Sequence, residues 1–213
     1  MVLAAGMYGV ETANLALVNL RISQIALNLA DDAARVGVTP LSTEQLREVD
    51  MNDVLQAARY QGSSIGLTNR GRVIISSLEN IQQSYDAAPV QRIHWQRCIG
   101  QKGSVLADSA YNSSYGTATP VVTAGTDSTP ANAGTLQPLG MGDPGSTVSA
   151  PPGSGVVFVE INYNYKPLIS NYLIGTTSRI HYVASFIVRD NRDFSHIYPS
   201  PASVPSTCDK YNA

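Results

Sequence analysis

Residues able to carry chemistry are few in this 213-residue sequence, and they are scattered along it. No phosphate-binding P-loop and no HExxH zinc motif occurs. The histidines His94, His181 and His196 stand alone, and the first two fall on strand positions opposite the bulky residues, which indicates surface imidazoles. We therefore expect no enzyme, no catalytic residue and no cofactor. A Ser/His/Asp grouping assembled in space, as in a secreted hydrolase, stays open as a minor alternative.

Calcium and nucleic acid are both disfavoured as ligands. The segment Asp190-Asn191-Arg192-Asp193 lacks the glycine and the distal glutamate of a calcium loop, so we interpret it as a solvated turn and expect no metal site. The net charge is −2 and only 14% of residues are charged. Because nucleic-acid-binding proteins usually carry a basic stripe, we expect no nucleic-acid partner.

The two cysteines, Cys98 and Cys208, form no CxxC pair and have no histidine at metal-ligand spacing. They are either two unrelated buried thiols or a disulfide, and we favour the disulfide. A disulfide indicates an oxidising compartment and would hold a proline-rich tail to the body of the protein. In the simple chain model, closing a loop of this length removes on the order of 4–5 kcal/mol of unfolded-state entropy.

The stretch from Val2 to about Val36 has the spacing of a long helix, which we expect to end at a Gly37 C-cap. One apolar stripe recurs at three- and four-residue steps. Its members are Leu15, Val18, Ile22, Ile25, Leu29, Ala33 and Val36. Apolar residues off this stripe indicate a helix covered on more than one side. It is either a core helix of its own domain or an assembly helix that packs beyond it, and spacing alone does not choose.

The beginning of this helix is too apolar for a free N-terminus, since Glu11 is its only charge before residue 20. No run of about 20 uninterrupted apolar residues is present, so no ordinary transmembrane helix is visible. We expect that Met1 is an engineered start and that a membrane segment lies upstream in the native protein.

The rest of the sequence predicts a short second helix and consecutive strands. The second helix carries Met51, Val54, Leu55 and Ala58, ends before Gly62, and starts at a capping box at either Ser42 or Asp50. The predicted strands are Arg72–Leu78, Val90–Cys98, Val156–Tyr165 and Arg179–Val188. In the second strand, alternation places Ile93 and Trp95 on one core-facing side.

Consecutive strands favour an antiparallel sheet, and the fold class is therefore α+β, with both helices packed on the sheet. We divide the chain into an N-terminal assembly helix, residues 1–37, and a globular domain, residues 38–213. Residues 99–155 are rich in Gly, Ser, Thr, Ala and Pro and are predicted to form a long surface loop region with at most short strands.

Two blocks of the sequence resemble the TadE-like minor pilins, or pseudopilins, of tight-adherence pilus systems. The first block is Gly9–Asn14 running into Leu20–Gly37. The second is Val157–Ile169, which contains the run Tyr165-Lys166-Pro167-Leu168, followed by the strand that ends at Arg189. The segment Ile93–Cys98 also resembles members of this family, whereas residues 99–155 lie outside the resemblance.

The resemblance implies a pilin-like fold and a non-enzymatic role in assembling or capping a thin pilus that supports surface adherence. It implies an inner-membrane anchor before assembly, a location on the periplasmic or extracellular face, and other pilins and the assembly machinery as partners. Glu11 is not the glutamate that follows a pilin cleavage site. The site residues are an assembly-helix set (Leu15, Val18, Ile22, Ile25, Leu29) and a family-motif strand set (Glu160, Tyr163, Tyr165, Pro167, Leu168).

A second hypothesis is a surface-binding module of the adhesin or receptor type. In this interpretation, residues 101–155 engage a surface, a glycan or a phage, because their tyrosines and small polar residues suit adaptable contacts.

Overall fold

A computed structural model describes residues 2–37, 43–121, 123, 125–126, 128–169, 178–200 and 202–212. Within them lie the α-helices α1 (Val2–Arg35), α2 (Glu48–Gln61) and α3 (Leu67–Arg70). The strands are β1 (Gly71–Ile81), β2 (Val90–Ile99), β3 (Thr135–Leu136), β4 (Ser154–Tyr165) and β5 (Ser178–Ile187). Short 3₁₀ turns occupy Ser63–Ile65, Leu106–Tyr111 and Pro130–Asn132.

All strand pairs are antiparallel, and the described strands form one sheet in the order β3-β2-β1-β4-β5. Helices α1 and α2 cover one face of this sheet and bury a continuous apolar core against it. The predicted α+β fold is therefore confirmed. The predicted strands are all present, and most extend one to three residues beyond their predicted ends, because alternation marks the buried centre of a strand better than its ends.

The prediction that Ile93 and Trp95 share one face of β2 is wrong. Ser77 of β1 pairs with Trp95, but the next residue, Leu78, pairs with Ile93, so His94 is an extra residue in β2. This β-bulge reverses the alternation. Trp95 consequently joins the core beneath the helices, whereas Ile93 joins a second apolar cluster on the opposite face of the sheet.

That second cluster lies under the glycine- and serine-rich insertion, residues 99–155. Ala118, Met141 and Ala150 of the insertion pack with Leu78 and Phe158 of the sheet. The insertion thus covers the second face of the sheet, although its described residues contain little regular structure beyond β3 and two 3₁₀ turns.

Helix α2 ends at Gln61, before Gly62, as predicted, whereas charged side chains and not the predicted capping residues form the start of α2 and the end of α1. The α2 N-cap is Arg47, whose backbone N–H donates to the Asp50 carboxylate at 3.0 Å. Asp50 is therefore the fourth and last residue of the box and not its start, and Ser42 lies outside the described residues. Helix α1 ends at Arg35, and Gly37 does not adopt the left-handed conformation of a glycine C-cap.

The segment predicted to be a solvated turn, Asp190 to Asp193, instead closes the end of α1. The guanidinium of Arg192 is buried and donates hydrogen bonds to the carbonyl oxygens of Ala33, Ala34 and Val36 at 3.0–3.2 Å. A cation at a helix C-terminus also interacts favourably with the helix dipole. The prediction of a solvated turn was wrong because nothing in the local sequence shows that Arg192 faces a helix end.

The disulfide between Cys98 and Cys208 is confirmed, with a Cα–Cα separation of 4.9 Å. Backbone hydrogen bonds continue the attachment of the tail: the Cys98 N–H donates to the Ser206 carbonyl, and the Gly100 N–H to the Asn212 carbonyl, each at 2.7 Å. The tail therefore lies along the end of β2.

Candidate functional site

Helix α1 extends beyond the body of the protein at its N-terminal end. Val2 through Val10 are all exposed, and the first enclosed residue of the helix is Glu11. At about 1.5 Å per residue, these nine residues form roughly 14 Å of helix without cover from the described chain. Large apolar side chains in this segment, such as Val2 and Leu3, are more than 80% exposed. An apolar surface of this kind marks a site of interaction.

The predicted assembly-helix residues lie on the inner side of α1, not on this exposed surface. Val18, Ile22, Ile25 and Leu29 are buried in the core between the helices and the sheet, and Leu15 packs at its edge. Their spacing left open whether they pack in the core of their own domain or against other subunits. In the structure they pack in the core, against the sheet. An Ile22→Asp variant would bury a charge and unfold the domain, so it is not a clean test of assembly.

The outward side of α1 carries a second apolar pattern, which the sequence reasoning missed. Its members alternate strictly at three- and four-residue steps and are all exposed. They are Leu3, Gly6, Val10, Ala13, Leu17, Leu20, Gln24 and Leu27. We call this set the outer seam. Its large apolar residues are 44–84% exposed, Gln24 is its one polar member, and none of its members is charged. The seven-residue period was visible in the sequence, but the stronger inner stripe masked it.

A repeat of this period is the pattern by which one helix packs along another helix. The outer seam extends from the overhanging segment past the point where α1 meets the sheet, so it is continuous over both parts. Arg21, beside the seam, donates to the Gln61 carbonyl at 3.0 Å and ties α1 to the end of α2. The helix is thus fixed on one side and open along the other.

Glu11 fixes α1 to the sheet where the overhang begins. Its carboxylate is fully enclosed and accepts hydrogen bonds from the Tyr165 hydroxyl at 2.6 Å and from the backbone N–H groups of Leu168 and Ile169 at 3.2 and 2.9 Å. Asn14, one turn later, donates to the same tyrosine hydroxyl at 2.5 Å. We call this arrangement the Glu11 clamp.

The clamp joins the two sequence blocks that carry the family resemblance, but it includes only some of the residues of the family-motif strand set. Tyr165 and Leu168 reach Glu11, and Pro167 lies between them in the chain. Tyr163 donates instead to the Ile65 carbonyl at 2.7 Å beneath the helices. Glu160 lies on the opposite face, where it contacts His181 at 3.1 Å and accepts from the Ser114 N–H. Alternation along Val156–Tyr165 predicts that Glu160 faces away from Tyr163 and Tyr165, but nothing in the sequence distinguishes the roles of the two tyrosines.

Hydrogen bonds from Tyr165 and from the Ile169 and Leu168 amides hold the pKa of Glu11 below its ordinary value, despite burial. A carboxylate whose pKa is lower in the folded state contributes stability above its unfolded pKa of about 4.5, and this contribution is lost as the pH falls through the folded value. The clamp therefore holds at neutral pH and weakens in acid.

We expect Glu11→Gln to loosen the clamp at pH 7, because the Leu168 and Ile169 N–H groups donate to different carboxylate oxygens and the amide NH₂ would replace one of these acceptors with a donor. Hydrogen exchange at the Leu168 and Ile169 amides should accelerate at least tenfold at pH 7. The difference from the unmodified protein should shrink as the pH falls through the lowered pKa of Glu11, where the carboxylate becomes protonated. Asp32→Asn, which changes an exposed carboxylate on the same helix, is the control. Unchanged exchange in Glu11→Gln would contradict a role for the clamp.

The prediction that His94 and His181 are surface imidazoles does not hold for both residues. His94 is buried and its Nδ1 lies 2.8 Å from the Glu79 carboxylate, so the prediction of a surface imidazole was wrong for this residue. His181 is partly exposed. His94 differs from the prediction because the β-bulge turns its side chain away from the predicted direction.

Two groupings resemble hydrolase signatures without the matching geometry. Ser195 Oγ lies 2.9 Å from His196 Nδ1, but Asp193 accepts from the Ser195 N–H and the Tyr198 hydroxyl. Gly62–Gly66 has Gly-x-Ser-x-Gly spacing, which the sequence reasoning overlooked. It forms a 3₁₀ turn between two helices, not the strand–turn–helix of a nucleophile elbow.

Across the ranges that the structure describes, no group of three or more His, Cys, Asp or Glu residues is arranged to hold a metal ion. In the same ranges, no helix combines the length and the apolar character needed to cross a lipid bilayer. Comparison of the chain with protein-family models, curated proteins and solved structures gives no significant match.

Proposed function

We propose that this protein is a non-enzymatic assembly subunit of a bacterial tight-adherence pilus, of the minor-pilin or pseudopilin type. The observation that carries the proposal is the outer seam: a long, uncharged apolar stripe with helix-packing periodicity on a helix that overhangs its domain. The partners are other pilin subunits and the assembly machinery.

The energetics favour a covered state for this surface. Burying a large aliphatic side chain contributes roughly 1.5–3 kcal/mol, and the outer seam carries Leu3, Val10, Leu17, Leu20 and Leu27. Neighbouring helices in a filament, or the apolar part of a membrane at its N-terminal end, would remove this surface from water. The Glu11 clamp would keep the seam at a fixed orientation to the domain, as assembly in register requires.

The disulfide supports a location outside the reducing cytoplasm. In the proposed arrangement, a segment preceding Val2 anchors the subunit in the inner membrane before assembly. The domain then lies on the periplasmic or extracellular face, and the assembled pilus supports adherence of the cell to surfaces.

The proposal is tested with Leu17→Asp/Leu20→Asp in a host that lacks the native gene. Both side chains are exposed, so the fold should keep its stability to within about 0.5 kcal/mol. Because a charge in a dry helix interface is strongly unfavourable, the number of pili per cell should fall by about tenfold or more. Pili are counted by electron microscopy.

Leu139→Asp is the matched control, because Leu139 is 82% exposed and belongs to the insertion. It should leave the pilus number unchanged. Normal piliation in the helix variant, with the protein present at its usual level, would exclude the outer seam as an assembly surface.

A further inference from the structure

The face of the sheet opposite the helices holds a cavity of about 360 Å³ that the assembly role does not use. Three parts of the chain enclose it: the ends of β1 and β2, the insertion, and the tail after Cys208. Its volume lies at the lower end of the roughly 300–1,000 Å³ range of small-molecule sites. It can accommodate one or two sugar-sized units.

The walls of this cavity are rigid. The Cys98–Cys208 disulfide lies in its wall, and Arg72 donates to the Gly100, Cys208 and Lys210 carbonyls at 2.6–2.7 Å. The Gln96 amide is fully engaged, since it donates to Ser76 and Gly116 and accepts from the Ala118 N–H. A site held in this way loses little conformational entropy when a ligand binds.

Several polar groups that line the cavity are free to bind a ligand. In the described part of the chain, the side chains of Asn112, Thr117, Thr119, Asp209 and Tyr211 make no hydrogen bond. They offer hydroxyl and amide groups, which both donate and accept, and a carboxylate, which only accepts, beside the half-buried aromatic ring of Tyr211. Gly103 lets two of these groups approach: a Cβ there would lie 2.3 Å from Asn112 Oδ1 and 3.2 Å from the Tyr211 ring.

The charges around the cavity disfavour an anionic ligand. Burial lowers the pKa of Arg72 to about 10, so the guanidinium is charged at neutral pH. Its terminal nitrogens already bind backbone carbonyls, and its Nε is enclosed, so no open fork is left for a carboxylate or phosphate. The free carboxylate of Asp209 at the rim would repel an anion.

We infer that this cavity binds a neutral carbohydrate, of monosaccharide to disaccharide size. Sugar hydroxyls match the free donors and acceptors. The Arg72 guanidinium lies 4.3 Å from the centroid of the Tyr211 ring, so the apolar C–H face of a pyranose would pack against the part of this ring that Arg72 leaves open. An apolar peptide side chain would leave these polar groups unpaired, and a nucleotide would bring phosphates to a cavity without an available cation. The inference does not depend on the assembly role.

The test uses the full chain and four probes: galactose, methyl α-mannoside, N-acetylglucosamine and the acidic sugar glucuronic acid. Binding is measured by saturation-transfer difference NMR and by titration. The expected dissociation constant for at least one neutral probe is on the order of 1 mM, as ligand-efficiency limits imply for about a dozen non-hydrogen atoms.

Thr117→Val/Asp209→Asn keeps the size of both side chains and removes a hydroxyl and a charged acceptor, so it should weaken binding at least tenfold. The control Thr147→Val removes an exposed insertion hydroxyl that does not line the cavity, and it should bind normally. Thermal unfolding of both variants confirms the fold. The inference is overturned if no neutral probe binds, if glucuronic acid alone binds, or if both variants bind as the unmodified protein does.

Discussion

Removal of the Cys98–Cys208 disulfide is expected to lower the free energy of unfolding by about 4–5 kcal/mol in the simple chain-entropy model. The two cysteines are 110 residues apart, so the bridge closes a long loop and removes much freedom from the unfolded chain. Alanine, not serine, is the informative replacement at Cys98, because this residue is buried and a serine hydroxyl there would add its own cost. The change is measured by urea denaturation.

The folded structure itself should change little in Cys98→Ala/Cys208→Ala. The tail keeps its backbone hydrogen bonds from Cys98 and Gly100, and Arg72 still donates to the carbonyls of residues 208 and 210. Near-UV circular dichroism should therefore be preserved. Dithiothreitol should destabilise the unmodified protein and leave the double variant unaffected. A loss below about 1 kcal/mol would contradict the entropic role.

The sequence predicted the elements of the fold well because their apolar spacing is regular. The strand Val156–Tyr165 alternates without interruption, and Arg179–Val188, with which it pairs in the structure, has the same pattern, so both were recognised as strands. Periodicity also placed Val18 to Leu29 on one side of α1. Their contact with the sheet followed only from the structure, since spacing does not reveal what covers a stripe.

The failures occur where one residue breaks a regular pattern. The bulge at His94 changes which side chains of β2 face the helices. Val90–Cys98 contains no proline or glycine that would predict a bulge. The insertion was predicted to be a surface loop because it has few large apolar residues. Ala118, Met141 and Ala150 are nevertheless sufficient to cover Phe158, because small side chains allow the backbone to lie close to the sheet.

Buried charge was the part of the candidate site least accessible from sequence. Glu11, Arg72 and Arg192 are enclosed, yet none differs in its local sequence from an exposed charged residue. Each is buried because it forms hydrogen bonds with backbone groups of a distant segment. For each of the three, the most distant partner is more than 130 residues away in the sequence. A single sequence carries no record of such contacts.

The bidentate pair between Glu48 and Arg97 should be the most sensitive charged contact, and Glu48→Gln is expected to cost roughly 3–5 kcal/mol. The two side chains are 0% and 2% exposed, and Arg97 donates through Nε at 3.0 Å and through a terminal nitrogen at 2.5 Å. Glutamine would leave Arg97 buried without its counter-charge. Since Glu48 is the first residue of α2, the loss would also loosen this helix from β2.

Two further variants separate the charge from the packing. Asp53→Asn, an exposed carboxylate on the same helix, should change the free energy of unfolding by less than about 0.5 kcal/mol. Glu48→Leu/Arg97→Met should recover most of the stability lost in Glu48→Gln, because both charges are then removed from the apolar interior. If the double variant is as unstable as Glu48→Gln in urea denaturation, the unpaired charge is not the cause, and the α2–β2 contact depends instead on the shape of the two side chains.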